Sequence, residues 1–81
     1  MTFHKLKNIA PLPDLILRAE FEDGTVRIYD VKPLMKKIPV FQMLSYVHGL
    51  FEQVYVETGG CGAVWNDEID LSSDEIYDNG R

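Results

Sequence analysis

Apolar and polar side chains alternate along Leu15-Ile16-Leu17-Arg18-Ala19-Glu20-Phe21. Leu15, Leu17, Ala19 and Phe21 fall on one face of an extended chain, with Arg18, Glu20 and Glu22 on the other. Asp23-Gly24 follows, and because glycine accepts a positive φ, it predicts a hairpin turn with Thr25 to Asp30 returning as the paired strand. Lys5 to Ala10 reads as a first, weaker strand. Pro33 suits the first turn of a helix, and Leu34 to Ile38 makes one short turn before Pro39 stops it.

From Val40 the period changes. Val40, Met43, Leu44, Val47 and Phe51 recur at the spacing of one helical stripe, which predicts a central helix that Gly49 ends early. Gln53 to Glu57 alternates again as a strand with Val54 and Val56 inward. Thr58-Gly59-Gly60-Cys61-Gly62 makes a tight turn, and Ala63-Val64-Trp65 begins the strand that pairs back. Ser72 and Glu75 have the spacing of a capping box, with two acids placed well against the helix dipole, so a brief helix through Tyr77 is expected. The order is strand, strand, strand, helix, strand, strand, short helix. This is an α+β fold with a small, mostly antiparallel sheet packed against one central helix.

The chain has 81 residues and no linker-like stretch, so residues 1–81 read as a single domain with one small core and little interior volume for a deep, water-excluding pocket. That argues against an enzyme. No segment approaches eighteen apolar residues and no apolar run follows the charged start, so neither secretion nor membrane spanning is expected. Cys61 is the sole cysteine, which excludes an intramolecular disulfide and a paired-thiolate zinc site and fits a reducing, cytoplasmic compartment.

The net charge of -5 divides unevenly. Residues 1–40 hold seven basic and five acidic side chains, a balance of +2. From Phe41 onward Arg81 alone is basic against Glu52, Glu57, Asp67, Glu68, Asp70, Asp74, Glu75 and Asp78, a balance of -7. Such a surface repels a phosphate backbone, so no nucleic-acid partner is expected, and it suits a basic protein.

Several residues together carry a family resemblance. Phe21-Glu22-Asp23-Gly24, Asp30-Val31-Lys32-Pro33-Leu34, Phe41-Gln42-Met43-Leu44, Leu50-Phe51 before Val54-Tyr55-Val56, and Trp65 before Ile69-Asp70-Leu71 and Ile76-Tyr77 occur in the order of the domain of unknown function 2442 family, which the chain resembles over nearly its whole length. These are small, mainly bacterial proteins. Between Trp65 and Ile69 the family often has proline and glycine, where this chain has Asn66-Asp67-Glu68. The resemblance implies an α+β fold and no catalytic residues. Members often stand beside another small protein in what looks like a toxin and antitoxin arrangement, which implies a partner.

The candidate chemistry is sparse. Cys61 lies among three glycines but has no neighbouring cation from Glu52 to Asn79, so it reads as a hairpin tip rather than a nucleophile. His4 and His48 lack the spacing that puts two ligands on one helix face. The acid run lacks the calcium-loop pattern, since Ile69 and Leu71 interrupt it, and the glycine-rich loop has no lysine and precedes a strand. No metal, cofactor or catalytic residue is expected.

The leading expectation is an interaction module, antitoxin-like or regulatory, that meets a small basic protein through Trp65, Asp67, Glu68, Asp70, Asp74, Glu75 and Tyr77. A self-associating domain that forms a homodimer through a strand edge or through Trp65 and Tyr77 is the alternative. A small thiol- or metal-dependent enzyme using Cys61 or the acid run is the third.

Overall fold

The computed structural model describes residues 3–81. The first sheet is antiparallel in the order β1 (Leu6–Leu12), β2 (Ile16–Phe21) and β3 (Val26–Asp30). Alternation in β2 places its side chains as expected, with Leu17, Ala19 and Phe21 buried and Arg18 exposed. The β2–β3 turn sits at Asp23-Gly24. Gly24 takes φ +90, its N–H donates to the Phe21 carbonyl, and Asp23 Oδ1 accepts the Thr25 N–H at 2.8 Å.

The short turn expected after Pro33 is α1 (Leu34–Lys37), but the stretch from Val40 expected to form one central helix makes three short pieces instead: a 3₁₀ turn (Pro39–Gln42), α2 (Met43–Tyr46) and a second 3₁₀ turn (Phe51–Gln53). The breaks have identifiable causes. Ile38 and Val47, both β-branched, adopt extended backbone at φ -128, ψ 99 and φ -87, ψ 110. Pro39 cannot donate the N–H that a continuous helix needs, and Gly49 turns left-handed at φ +81. The inward residues therefore follow the irregular path. Leu34, Phe41, Leu44, Leu50 and Phe51 are buried, while Val47, expected on the inner stripe, is exposed.

The chain then makes a second antiparallel sheet in the order β4 (Tyr55–Val56), β5 (Gly62–Asn66) and β6 (Ile69–Ser72), so the strands form two sheets where one was expected. β6 is an additional strand. Its burial alternates, with Ile69 and Leu71 inside and Asp70 and Ser72 outside. It runs directly into α3 (Ser73–Asn79), where Ser72 is the N-cap and its Oγ accepts the Glu75 N–H at 3.1 Å.

The two sheets meet where β1 passes β4. The Leu6 N–H donates to the Gly60 carbonyl at 2.8 Å. A Cβ on Gly60 would lie 2.8 Å from the Leu6 oxygen, so this crossing admits no side chain there. The core is one cluster drawn from both sheets, the helical segment and α3, and Ile76 anchors α3 in it.

Candidate interaction surface

The seven residues proposed from sequence fall into three environments. Trp65, on β5, is 3 % exposed. Its ring lies with both Phe41 and Phe51 at 6.0 Å between centroids, and its Nε1–H donates to the Phe51 carbonyl at 3.0 Å. It belongs to the core and presents no surface to a partner.

Asp74, Glu75 and Tyr77, on α3, are half-buried and already engaged within the chain. Asp74 Oδ1 accepts the His4 N–H at 2.8 Å and lies 2.9 Å from His4 Nδ1. The bond from the His4 backbone, then the one from its ring, hold the Asp74 carboxyl below the usual carboxylate range. Glu75 accepts the Tyr29 hydroxyl at 2.9 Å. Burial, with this bond behind it, pushes the Tyr29 hydroxyl above its ordinary value.

Tyr77 stacks on His4 with centroids 3.6 Å apart and meets Phe21 edge-on at 5.0 Å. The Arg27 guanidinium carbon sits over its ring at 4.6 Å, and its hydroxyl lies 3.3 Å from Asp23 Oδ2. Asp23 is itself held low, chiefly by the Thr25 N–H.

Asp67, Glu68 and Asp70 are exposed and point outward. Asn66 builds the turn that carries the first two, since its Oδ1 accepts the N–H of Glu68 at 2.8 Å and of Ile69 at 3.0 Å. An asparagine thus closes this turn by side-chain bonding. Asp70 lies on the outer face of the second sheet, in a cross-strand row with Val64 and Tyr55. Tyr55 is 54 % exposed and was not among the residues singled out from sequence, although its place between Val54 and Val56 in an alternating strand puts it outward. A shallow depression of about 150 Å3 lies on this face, lined by Glu57, Cys61, Gly62, Asp70, Leu71 and Ser72.

Ion pairing separates the two halves. In the first half Lys7 pairs with Glu20 at 4.0 Å, and Lys32 with Asp30 at 2.9 Å and Asp14 at 3.2 Å. Burial alone would raise Asp30, but its bonds from Lys32 outweigh that and hold it low. Among the described residues, Asp74 is the one acid beyond residue 40 with a basic side chain within 4.0 Å, the His4 imidazole at 2.9 Å.

Cys61 is exposed, and its Sγ lies 3.9 Å from Glu57 Oε1 and 3.9 Å from the Thr58 carbonyl, both acceptors. Among the described residues no group of three or more His, Cys, Asp and Glu side chains is arranged to hold a metal ion, and no helix is long and apolar enough to cross a membrane.

No curated protein and no solved structure matches this chain. The model of the family described as "Protein of unknown function (DUF2442)" matches residues 6–81, nearly the whole chain, and the chain belongs to that family.

Proposed function

We propose that this chain is a non-catalytic interaction module, antitoxin-like or regulatory, that meets a small basic protein through the acidic surface of its C-terminal half in a reducing cytoplasm. The observation that carries the reading is the set of exposed acids left without cations. Asp67, Glu68 and Asp70 stand outward with no ion-pair partner among the described residues, whereas Asp14, Glu20 and Asp30 in the first half each pair with a lysine. An uncompensated field of one sign steers a partner of the other and raises its association rate. Tyr55, across Val64 from Asp70 on the same sheet face, adds an aromatic surface on which an arginine or lysine side chain can lie. Trp65, expected at the contact, drops out of it because it is in the core.

The test begins with affinity purification from the native host at low and then moderate salt, followed by reassembly from purified components. Combined Asp67→Asn, Glu68→Gln and Asp70→Asn should weaken the reassembled complex by about tenfold or more, and raising salt should weaken it further. No stoichiometric protein at either salt, or a complex indifferent to the triple substitution, overturns the reading.

A further inference from the structure

Two open depressions adjoin where β3, α1 and the end of α3 come together. The larger, of about 450 Å3, has Ile28, Pro33 and Leu34 as its apolar wall and Asp30, Lys37, Glu75 and Arg81 as its charged residues. The second, of about 370 Å3, shares Asp30, Pro33 and Lys37 with the first and adds Lys32 and Lys36. Ile28 and Arg81 exchange both backbone hydrogen bonds, at 2.8 and 2.9 Å, which fixes Arg81 against β3.

The two acids here are already occupied. Glu75 accepts the Tyr29 hydroxyl at 2.9 Å, and Asp30 pairs with Lys32 at 2.9 Å. Against its burial, the Asp30 carboxyl is held low by the Lys32 bonds and then by the Arg81 charge, so that guanidinium acts on the same space. Three of the cations, by contrast, are free. Lys36, Lys37 and Arg81 are exposed, and among the described residues none has an acid within 4.0 Å.

Around the two depressions four basic side chains stand with two acidic ones, a balance of +2, while the rest of the chain has four basic against eleven acidic, a balance of -7. A long polyanion would leave the cations for a surface of its own sign, whereas a compact anion stays among them. Three unpaired cations suit a doubly charged group, and the apolar wall suits an organic body in a space of ligand size. We propose that this site binds a small organic phosphate. Lys37, which borders both depressions, and Arg81 hold the phosphoryl group with Lys36 at the rim, and the organic body lies against Ile28, Pro33 and Leu34.

Titration of the intact chain with phenyl phosphate, followed by amide NMR, tests the proposal. Saturable shifts at Tyr29, Leu34, Lys37 and Arg81 are expected, with a dissociation constant of about 1 mM or tighter. Lys37→Gln combined with Arg81→Gln should raise that constant by about tenfold, while Lys7→Gln, at a cation outside the site, should leave it unchanged. Inorganic phosphate should bind more weakly than phenyl phosphate, because it brings nothing to the apolar wall. All three substituted positions are exposed, and the amide spectrum verifies that each variant is folded. No saturation by about 20 mM, a constant indifferent to the double substitution, or inorganic phosphate binding as tightly as phenyl phosphate overturns the proposal. So does an oligo-aspartate peptide that binds these cations more tightly than phenyl phosphate, which would make the site a protein contact. None of these results bears on capture of a basic partner through Asp67, Glu68 and Asp70, which lie outside both depressions.

Discussion

The indole of Trp65 is packed against Phe41 and Phe51 and donates its only N–H to the Phe51 carbonyl at 3.0 Å. That bond ties β5 to the second 3₁₀ turn, where the Phe51 carbonyl also accepts the Val54 N–H at a longer 3.4 Å. Trp65→Phe keeps most of the apolar contact but leaves the Phe51 carbonyl with only the longer bond from the Val54 N–H, and a gap where the larger ring was. The expected loss is about 1–3 kcal/mol, read from urea unfolding of the variant against the parent protein. An unchanged midpoint and slope would show that the bond contributes nothing net. Affinity for the proposed basic partner should not change in the folded variant, since Trp65 is buried in the core.

Among the elements, α3 depends most visibly on a single side chain. It is seven residues long, too short to persist alone, and Ser72 satisfies its Glu75 N–H at 3.1 Å. Ser72→Ala should cost about 1 kcal/mol in chemical denaturation. Glu75→Gln should leave this cap intact, because the Glu75 carboxylate is turned to the Tyr29 hydroxyl and not back to Ser72. The capping-box spacing thus located the start of α3 correctly, while tertiary contact decided where the second half of the box points.

The same tension explains which elements could be read in the sequence. The β2–β3 hairpin was legible because the alternation and the Asp23-Gly24 turn agree on one answer. The helical stripe from Val40 was not, because Val47 and Gly49 break the path that the spacing assumes. Phe41 is buried in place of Val47. β6 carries a clear alternation at Ile69-Asp70-Leu71, but its brevity and its direct run into α3 hid it. On the candidate surface, the exposed Asp67, Glu68 and Asp70 followed from composition and order. The burial of Trp65 and the engagement of Tyr77 depend on residues more than fifty positions away at Asp23, Thr25 and His4, or on the packing of Phe41 and Phe51, which no local pattern encodes.

At the scale of the whole molecule, the chain is closed by polar contacts between its beginning and its end. His4 holds Asp74 and stacks on Tyr77, Arg27 donates to the Tyr77 carbonyl at 2.9 Å, and Ile28 and Arg81 exchange both backbone hydrogen bonds at 2.8 and 2.9 Å. Together these dock α3 and the last residue onto the first sheet, so the acidic half is fixed to the half that carries the cations. Asp74 is the acid of that closure, and its folded-state carboxyl is held below the ordinary value of 3.8 by the His4 bonds. A depressed carboxyl contributes stability that is present above its unfolded value and is lost as pH falls through its folded value. Asp74→Ala should therefore destabilise the protein at pH 7 and at pH 5 alike, and the gap between variant and parent should close as pH drops below 3.8. Thermal unfolding of both proteins across that range provides the measurement. A gap that stays constant down to strongly acid pH would mean that Asp74 acts through packing alone. A gap that opens only in acid would reverse the sign of the linkage and remove Asp74 from the forces that close the chain.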